Sequence, residues 1–260
     1  MAETLIATDE RLREISSTLV RERLRAGALQ EFPGLLPATL EEAYRVQALS
    51  REAWPDDVIG WKVGGIPPIH REALGEDFLS GPIFAQRFVL AAAETESPMP
   101  IFANGFAAIE PEFVLKLGQS PNSDRLFIGA EIASSPIVDI NGVGPIAVVC
   151  DFGNNNGILL GDEIPHWRQL GGEEVVVTSR IDGEIVGQRT VADVPALVST
   201  SRDFLTEHAR QQGIELPAGT LISTGAITGV HDAQLGARST LDFGRFGSLA
   251  LRLVEAQPQQ

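Results

Sequence analysis

The chain is short of cysteine, of basic residues and of long apolar runs. One cysteine, Cys150, among 260 residues excludes an internal disulfide and makes a reducing, cytoplasmic setting the expectation. Its place after Ile146-Ala147-Val148-Val149 marks it as core filler rather than a nucleophile. Lys and Arg number 20 against 35 Asp and Glu, a formal net charge of -15. Such a surface repels nucleic acid and anionic membranes. No apolar run approaches the roughly 20 residues needed to cross a bilayer, and the first residues, with Glu3, Asp9 and Glu10, carry no basic-then-apolar leader pattern. A P-loop, a Gly-x-Ser-x-Gly elbow and a Gly-x-Gly-x-x-Gly turn after a strand are all missing. The histidines His70, His166, His208 and His231 show no paired spacing, which argues against a zinc site.

What is present is an ordinary globular composition, 43% hydrophobic and 21% charged, sufficient for a large core. Leu12, Ile15, Leu19 and Leu24 recur at helical spacing between about Thr8 and Ala28, with Asp9 as the expected N-cap and Gly27 at the end. After the Pro-rich stretch Phe32 to Pro37, Thr39 and Glu42 form a capping box for a second helix running to about Glu52. Short β-prone runs punctuated by Gly and Pro follow. The expectation is an α+β chain: a helical N-terminal region over 1–56 and a β-rich body over 57–260.

Within the body, Val58 to Gly65 reads as a strand with Lys62 on the same face as Gly60 and Gly64. Ile66 to Leu79 reads as a polar loop holding His70 and Asp77, and Pro136 to Asp139 and Ile146 to Cys150 read as strands. Asp151-Phe152-Gly153-Asn154-Asn155-Asn156-Gly157 concentrates residues that tolerate left-handed backbone, so a tight, shaped loop is expected. Asp182-Gly183 between β-prone runs signals a hairpin, and Val194 to Gln212, closed by Gly213, reads as a helix.

The stretch around which the rest is organised is Ile109-Glu110-Pro111-Glu112-Phe113-Val114-Leu115. Residues two apart in a strand face the same way, so Glu110 and Glu112 stand side by side, and like charges so placed repel. Either an oxygen-ligated divalent cation sits between them or they form the wet acidic face of an edge strand. Glu131, among small and apolar residues in Gly129-Ala130-Glu131-Ile132, is an odd place for an unpaired charge. Lys62 by itself reads as an ordinary strand lysine, and any single Asn of 154–156 as plain turn chemistry.

Taken in order, Thr39-Leu40-Glu41-Glu42-Ala43-Tyr44-Arg45-Val46-Gln47, Gly60-Trp61-Lys62-Val63-Gly64, Ile109 to Phe113, Gly129 to Ile132, Asn154 to Gly161 and Ser223-Thr224-Gly225-Ala226-Ile227-Thr228-Gly229 resemble the 2-keto-4-pentenoate hydratase branch of the fumarylacetoacetate hydrolase superfamily. The resemblance implies a mixed β-roll body behind a helical N-terminal region, and Mg²⁺ or Mn²⁺ held by Glu110, Glu112 and Glu131. It implies catalysis by Lys62, with Asp77 as its partner in proton transfer. Thr224 and Gly225 would hydrogen-bond the substrate carboxylate, with Asn155 or Asn156 lining the same pocket. The implied activity is hydration of a 2-keto-enoate or 2-hydroxydienoate, such as 2-oxopent-4-enoate in aromatic catabolism, through a metal-stabilised enolate.

Three alternatives stay open: a decarboxylase of the 4-oxalocrotonate type, an acylpyruvate C–C hydrolase using His70 with Glu72 or Glu76, and a non-catalytic partner subunit or keto-acid binding protein. Self-association, also with a related hydratase or decarboxylase subunit, is implied as well. The chain departs from the branch at Ser134-Ser135-Pro136, where a Ser-Arg pair is usual, and at Asp151 to Asn155, where Ala-Asp-Asn-Ala-Ser is common. The spacing of Asp77 to Gly81 is also looser than the usual Asp-x-Gly. The changes at 134–136 and 151–155 touch the substrate pocket.

Overall fold

The computed structural model describes residues 2–92 and 95–259, with side chains from Asp9 onward. Its helices are α1 (Ala2–Leu24), α2 (Leu40–Ala53), α3 (Pro68–Leu74), α4 (Ile140–Val143), α5 (Pro145–Cys150) and α6 (Val194–Gln212). Its strands are β1 (Val58–Gly65), β2 (Phe78–Phe84), β3 (Phe88–Leu90), β4 (Ser97–Ile101), β5 (Phe106–Lys116), β6 (Arg125–Ser135), β7 (Asn155–Glu163), β8 (Gly171–Ile181), β9 (Glu184–Asp193), β10 (Leu221–Ser223), β11 (His231–Asp232), β12 (Arg238–Asp242) and β13 (Ser248–Glu255). One sheet runs β2-β1-β10-β5-β6-β7-β3, with β11 added to β5; the other runs β4-β13-β12-β8-β9. Between them lies the main core, in which Phe113, Ile128, Leu159, Val177, Leu241 and Leu251 are buried.

The N-terminal helices bury Leu12, Ile15, Leu19, Ala43 and Val46 against Ile137, Ile140 and the whole apolar face of α5. Thr39 caps α2 by accepting from the Glu42 amide at 3.2 Å. The Glu42 carboxylate reaches back one residue further than a simple box, to the Ala38 amide at 3.0 Å and to Arg11 at 2.8 Å. Asp9 does not cap α1, which starts seven residues earlier at Ala2; its carboxylate accepts instead from Arg45. The Asp182-Gly183 turn forms as expected, both residues having positive φ (50° and 89°), the twist that a two-residue hairpin needs.

Three segments differ from the reading of the sequence. Ile146 to Cys150 is helical, because Pro145 at the first helical position presets φ and a short apolar run fits either structure when it is buried on all sides. Pro136 to Asp139 makes a single bridge, Ile137 to Leu29, before Asp139 caps α4 through the Gly142 amide at 3.1 Å. The loop after β1 contains α3, none of whose residues is buried.

Helix α6 meets α2 through His208, whose ring stacks on Phe204 (centroids 5.7 Å apart) and packs on Tyr44 at 4.4 Å. Burial pushes the imidazole down to about 4 from its ordinary 6.5. The folded state therefore refuses a proton that the unfolded chain accepts, so stability is present above pH 6.5 and is lost as pH falls toward 4. Urea unfolding at pH 7.5 and pH 5 should show a loss of about 1 to 2 kcal/mol from this group. His208→Phe should remove that share of the pH dependence; an unchanged difference between the two pH values would reject the assignment.

Candidate metal centre

Neighbouring strands β1, β10, β5 and β6 carry the site. In the β5–β6 register Glu110 stands opposite Glu131, and Glu112 opposite Gly129. A Cβ at Gly129 would lie 2.5 Å from the Val114 side chain, so the small residue there keeps the sheet closed. Lys62 pairs with Ser223 across β1 and β10, and Ser223 with Val114 across β10 and β5. One face of the sheet thus collects a lysine, a serine and three glutamates. Glu112 and Glu131 are fully buried, and Glu110 and Lys62 are 5% and 4% exposed. One oxygen from each carboxylate lies within 4.8 Å of the others.

Two of the three anions are partly satisfied. Glu112 Oε2 accepts from the Ser223 hydroxyl and from the Gly225 amide at 2.9 Å. Glu131 Oε1 accepts from Asn155 Nδ2 at 2.9 Å and lies 3.2 Å from Lys62 Nζ, which also donates to Asn154 Oδ1 at 3.3 Å. Glu112 Oε1 and Glu131 Oε2 are buried without a hydrogen-bond partner among the described residues. Buried polar atoms are ordinarily paired, and unpaired buried charge costs several kcal/mol.

The charges do not balance either. Three carboxylates and one ammonium sum to -2 when all are ionised. Burial, with the charge of Glu131 adding and Lys62 opposing, pushes Glu110 up to about 7. Burial, Glu131 and Glu110 together push Glu112 well above the usual carboxylate range. Burial alone would pull Lys62 down, but Glu131, Glu110 and Glu112 outweigh it and raise it. A hard divalent cation supplies the two missing charges and a partner for the two orphaned oxygens, and an all-carboxylate set is the chemistry that such an ion prefers. The residues present therefore fit an oxygen-ligated metal.

The cluster opens into a cavity of about 430 Å³, reached by Lys62, Glu110, Asn141 and Asn154 among its polar lining. The structure brings Glu110, Glu112, Glu131 and Lys62 together but not Asp77. That carboxylate is 67% exposed, lies outside the cavity lining and pairs with Arg71 at 3.4 Å. Thr224 and Gly225 lie beside the cluster with their donors engaged: the Thr224 hydroxyl bonds the Phe113 carbonyl at 3.0 Å, and the Gly225 amide serves Glu112. Asn155 and Asn156 alternate faces at the start of β7. Asn155 orients Glu131, while Asn156 turns away to the Pro100 carbonyl at 2.7 Å.

The Asn that reaches the cavity is Asn154, set there by consecutive left-handed residues Phe152, Gly153 and Asn154 (φ 57°, 65° and 55°). A tight turn was legible at this point, but which Asn faced inward was not. Ser223 and Arg23 also escaped the sequence reading. Ser223 sat within a recognised stretch; Arg23, discussed below, had no local signal at all. His70 and Glu72 lie on the unburied α3 and Glu76 lines a separate cavity with Tyr44 and His208, so these residues add nothing to the glutamate cluster.

The architecture is that of a fumarylacetoacetate hydrolase-like fold, an N-terminal helical region with a curled mixed sheet. The chain is similar to 4-oxalocrotonate decarboxylase from Pseudomonas putida G7 complexed with magnesium and adipate, at a TM-score of 0.76 and 20% identity, over 95% of this chain and 98% of that one. The same enzyme complexed with calcium and acetate gives a TM-score of 0.73 over the same shares, also at 20% identity. Fumarylpyruvate hydrolase from Pseudomonas aeruginosa, in complex with Mn²⁺ and pyruvate, overlays at 0.53 and 18% identity, over 75% and 89% of the two chains. At these identities the likeness is one of fold. No family model and no curated protein sequence matches the chain. Among the described residues, no helix is long and apolar enough to cross a membrane.

Proposed function

We propose that the protein is a divalent-metal-dependent enzyme of 2-oxo-acid chemistry, and specifically a hydratase that adds water to a 2-oxo-enoate or 2-hydroxydienoate such as 2-oxopent-4-enoate. The observation that carries the reading is the buried triad Glu110, Glu112 and Glu131, two of whose oxygens have no partner among the described residues, with Glu110 opening beside Lys62 into the cavity. Neighbours of the same fold bind magnesium, calcium or Mn²⁺ together with small carboxylates, which agrees with it. When bound, Mg²⁺ or Mn²⁺ supplies Lewis-acid polarisation of a 2-oxo acid and stabilises negative charge on its enol oxygen.

The chain supplies the rest. Ser223 and Gly225 fix the orientation of Glu112, and Asn155 that of Glu131, so the carboxylates stay aimed at one point. Lys62 Nζ, held between Glu131 and Asn154 at the floor of the cavity, carries the proton that is moved to or from the substrate carbon chain. The exposed Asp77 takes no part in this scheme. Assembly with further copies, or with a related hydratase or decarboxylase subunit, belongs to the same proposal.

The test is product analysis. 2-Hydroxypenta-2,4-dienoate with Mg²⁺ should give the hydrated hydroxy-oxo acid, with no CO₂ and no second carboxylic acid. A decarboxylase is the second reading, favoured by the magnesium-containing neighbour that overlays 95% of the chain; release of CO₂ from a 2-oxo dicarboxylate would establish it instead. Under either chemistry Lys62→Met should lower kcat by about a hundredfold with no loss of Mg²⁺ affinity, since it removes a positive charge from beside Glu131. Full turnover in that variant would remove Lys62 from the mechanism.

A further inference from the structure

The cavity above the glutamates has a wall that differs sharply from its floor. Lys62 and Glu110 are the only charged residues lining it among the described residues, and both belong to the floor. Beside them Leu79, Pro145 and Val148 form a buried apolar wall, and Pro67, Ala226 and Val230 complete the apolar lining. Val230 is 51% exposed and marks the mouth. Asn141 is the one uncharged polar side chain besides Asn154. Arg71, on the helix after the lining residue Pro67, does not line the cavity; its Nε donates to the Ile66 carbonyl at 2.7 Å and its Nη1 lies 3.4 Å from Asp77.

We infer, resting on the function proposed above, that among 2-oxo acids with one carboxylate the protein binds those with an apolar tail longer than that of the five-carbon acid more tightly than the five-carbon acid itself, and that Leu79, Val148 and Val230 set this preference. A chelating 2-oxo-carboxylate head occupies the floor and leaves most of the roughly 430 Å³ for the tail. Each tail methylene buried against the wall raises affinity roughly fourfold. A carboxylate at the far end gains nothing comparable, because it loses hydration without meeting a cation or a set of donors. Lys62 does not serve, since its ammonium is already shared by Glu131 and Asn154 at the floor.

Titration calorimetry on the Mg²⁺-loaded protein separates the outcomes. Oxalate and pyruvate report the head site, and 2-oxooctanoate and 2-oxooctanedioate report the tail at equal chain length. The expected result is that 2-oxooctanoate binds at least tenfold tighter than either pyruvate or 2-oxooctanedioate. Val148→Arg should invert the order of the two long acids. Val230→Arg, at an exposed position that does not endanger folding, should narrow the gap in the same direction. If oxalate and pyruvate bind but 2-oxooctanedioate matches or exceeds 2-oxooctanoate, the inference is overturned while the 2-oxo-acid reading stands. Equal binding of pyruvate and 2-oxooctanoate overturns it too. If not even oxalate binds with Mg²⁺ present, the functional proposal has failed and the inference falls with it.

Discussion

Glu110→Gln is expected to lower metal-dependent turnover at least about a thousandfold while leaving the metal-free fold intact. Gln is nearly isosteric with Glu, so packing on β5 is unchanged, but the site loses one of three hard anionic ligands. In the metal-free protein the charge of Glu110 is a burden: it faces Glu131 across the β5–β6 pair, and burial already pushes it up to about 7. Removing it changes the local sum from -2 to -1 and relieves repulsion rather than breaking an attraction. The two readouts therefore move apart. Mg²⁺ titration should show affinity falling with activity, and the urea midpoint at pH 8 without metal should stay level or rise. A metal-independent drop in stability with activity retained would make the glutamates structural. A structural cluster would behave in that way, and so would a non-catalytic partner subunit.

The sequence exposed the parts of the molecule whose causes are local. Thr39 capping α2, Gly213 closing α6 and the Asp182-Gly183 hairpin each rest on backbone preferences within a few residues, and each formed where expected. Glu110 and Glu112 were legible for the same reason, since strand alternation alone sets them side by side. Glu131 and Lys62 could be joined to them only through resemblance, because their meeting depends on the order β1-β10-β5-β6, which no local pattern encodes. The misreadings have non-local causes as well. Ile146 to Cys150 is apolar enough for a strand, and with burial on all sides leaving either structure open, Pro145 starts it as a helix packed on α2. Asp77 has the right residue type in the right neighbourhood, yet its side chain lies at the surface beside Arg71 of α3.

The clearest non-local feature gives the second large prediction. Arg23→Met should destabilise the protein by about 3 to 5 kcal/mol. Arg23, near the end of α1, is 3% exposed, and the side chain of its partner Asp151 is fully buried. The guanidinium grips that carboxylate with two bonds, Nε to Oδ1 at 2.6 Å and Nη2 to Oδ2 at 2.9 Å. It also donates to the backbone carbonyls of Asn155 at 3.0 Å, Ser134 at 3.2 Å and Asp151 at 3.0 Å, and lies over the rings of Phe102 and Phe152. The Asp151 and Asn155 carbonyls flank the left-handed turn that presents Asn154 to Lys62 and Asn155 to Glu131. The arginine thus ties an N-terminal helix to the backbone on which the metal site is aligned. Loss of the cation leaves Asp151 buried and unpaired, so the pair rather than either residue carries the effect. Arg23→Met with Asp151→Asn should recover much of the loss, and chemical unfolding of the two singles and the double forms the cycle that measures it. Mg²⁺ affinity in the double variant reports on the turn itself. If stability returns but metal binding stays weakened, Arg23 positions the site; if both return together, its role is confined to holding the fold.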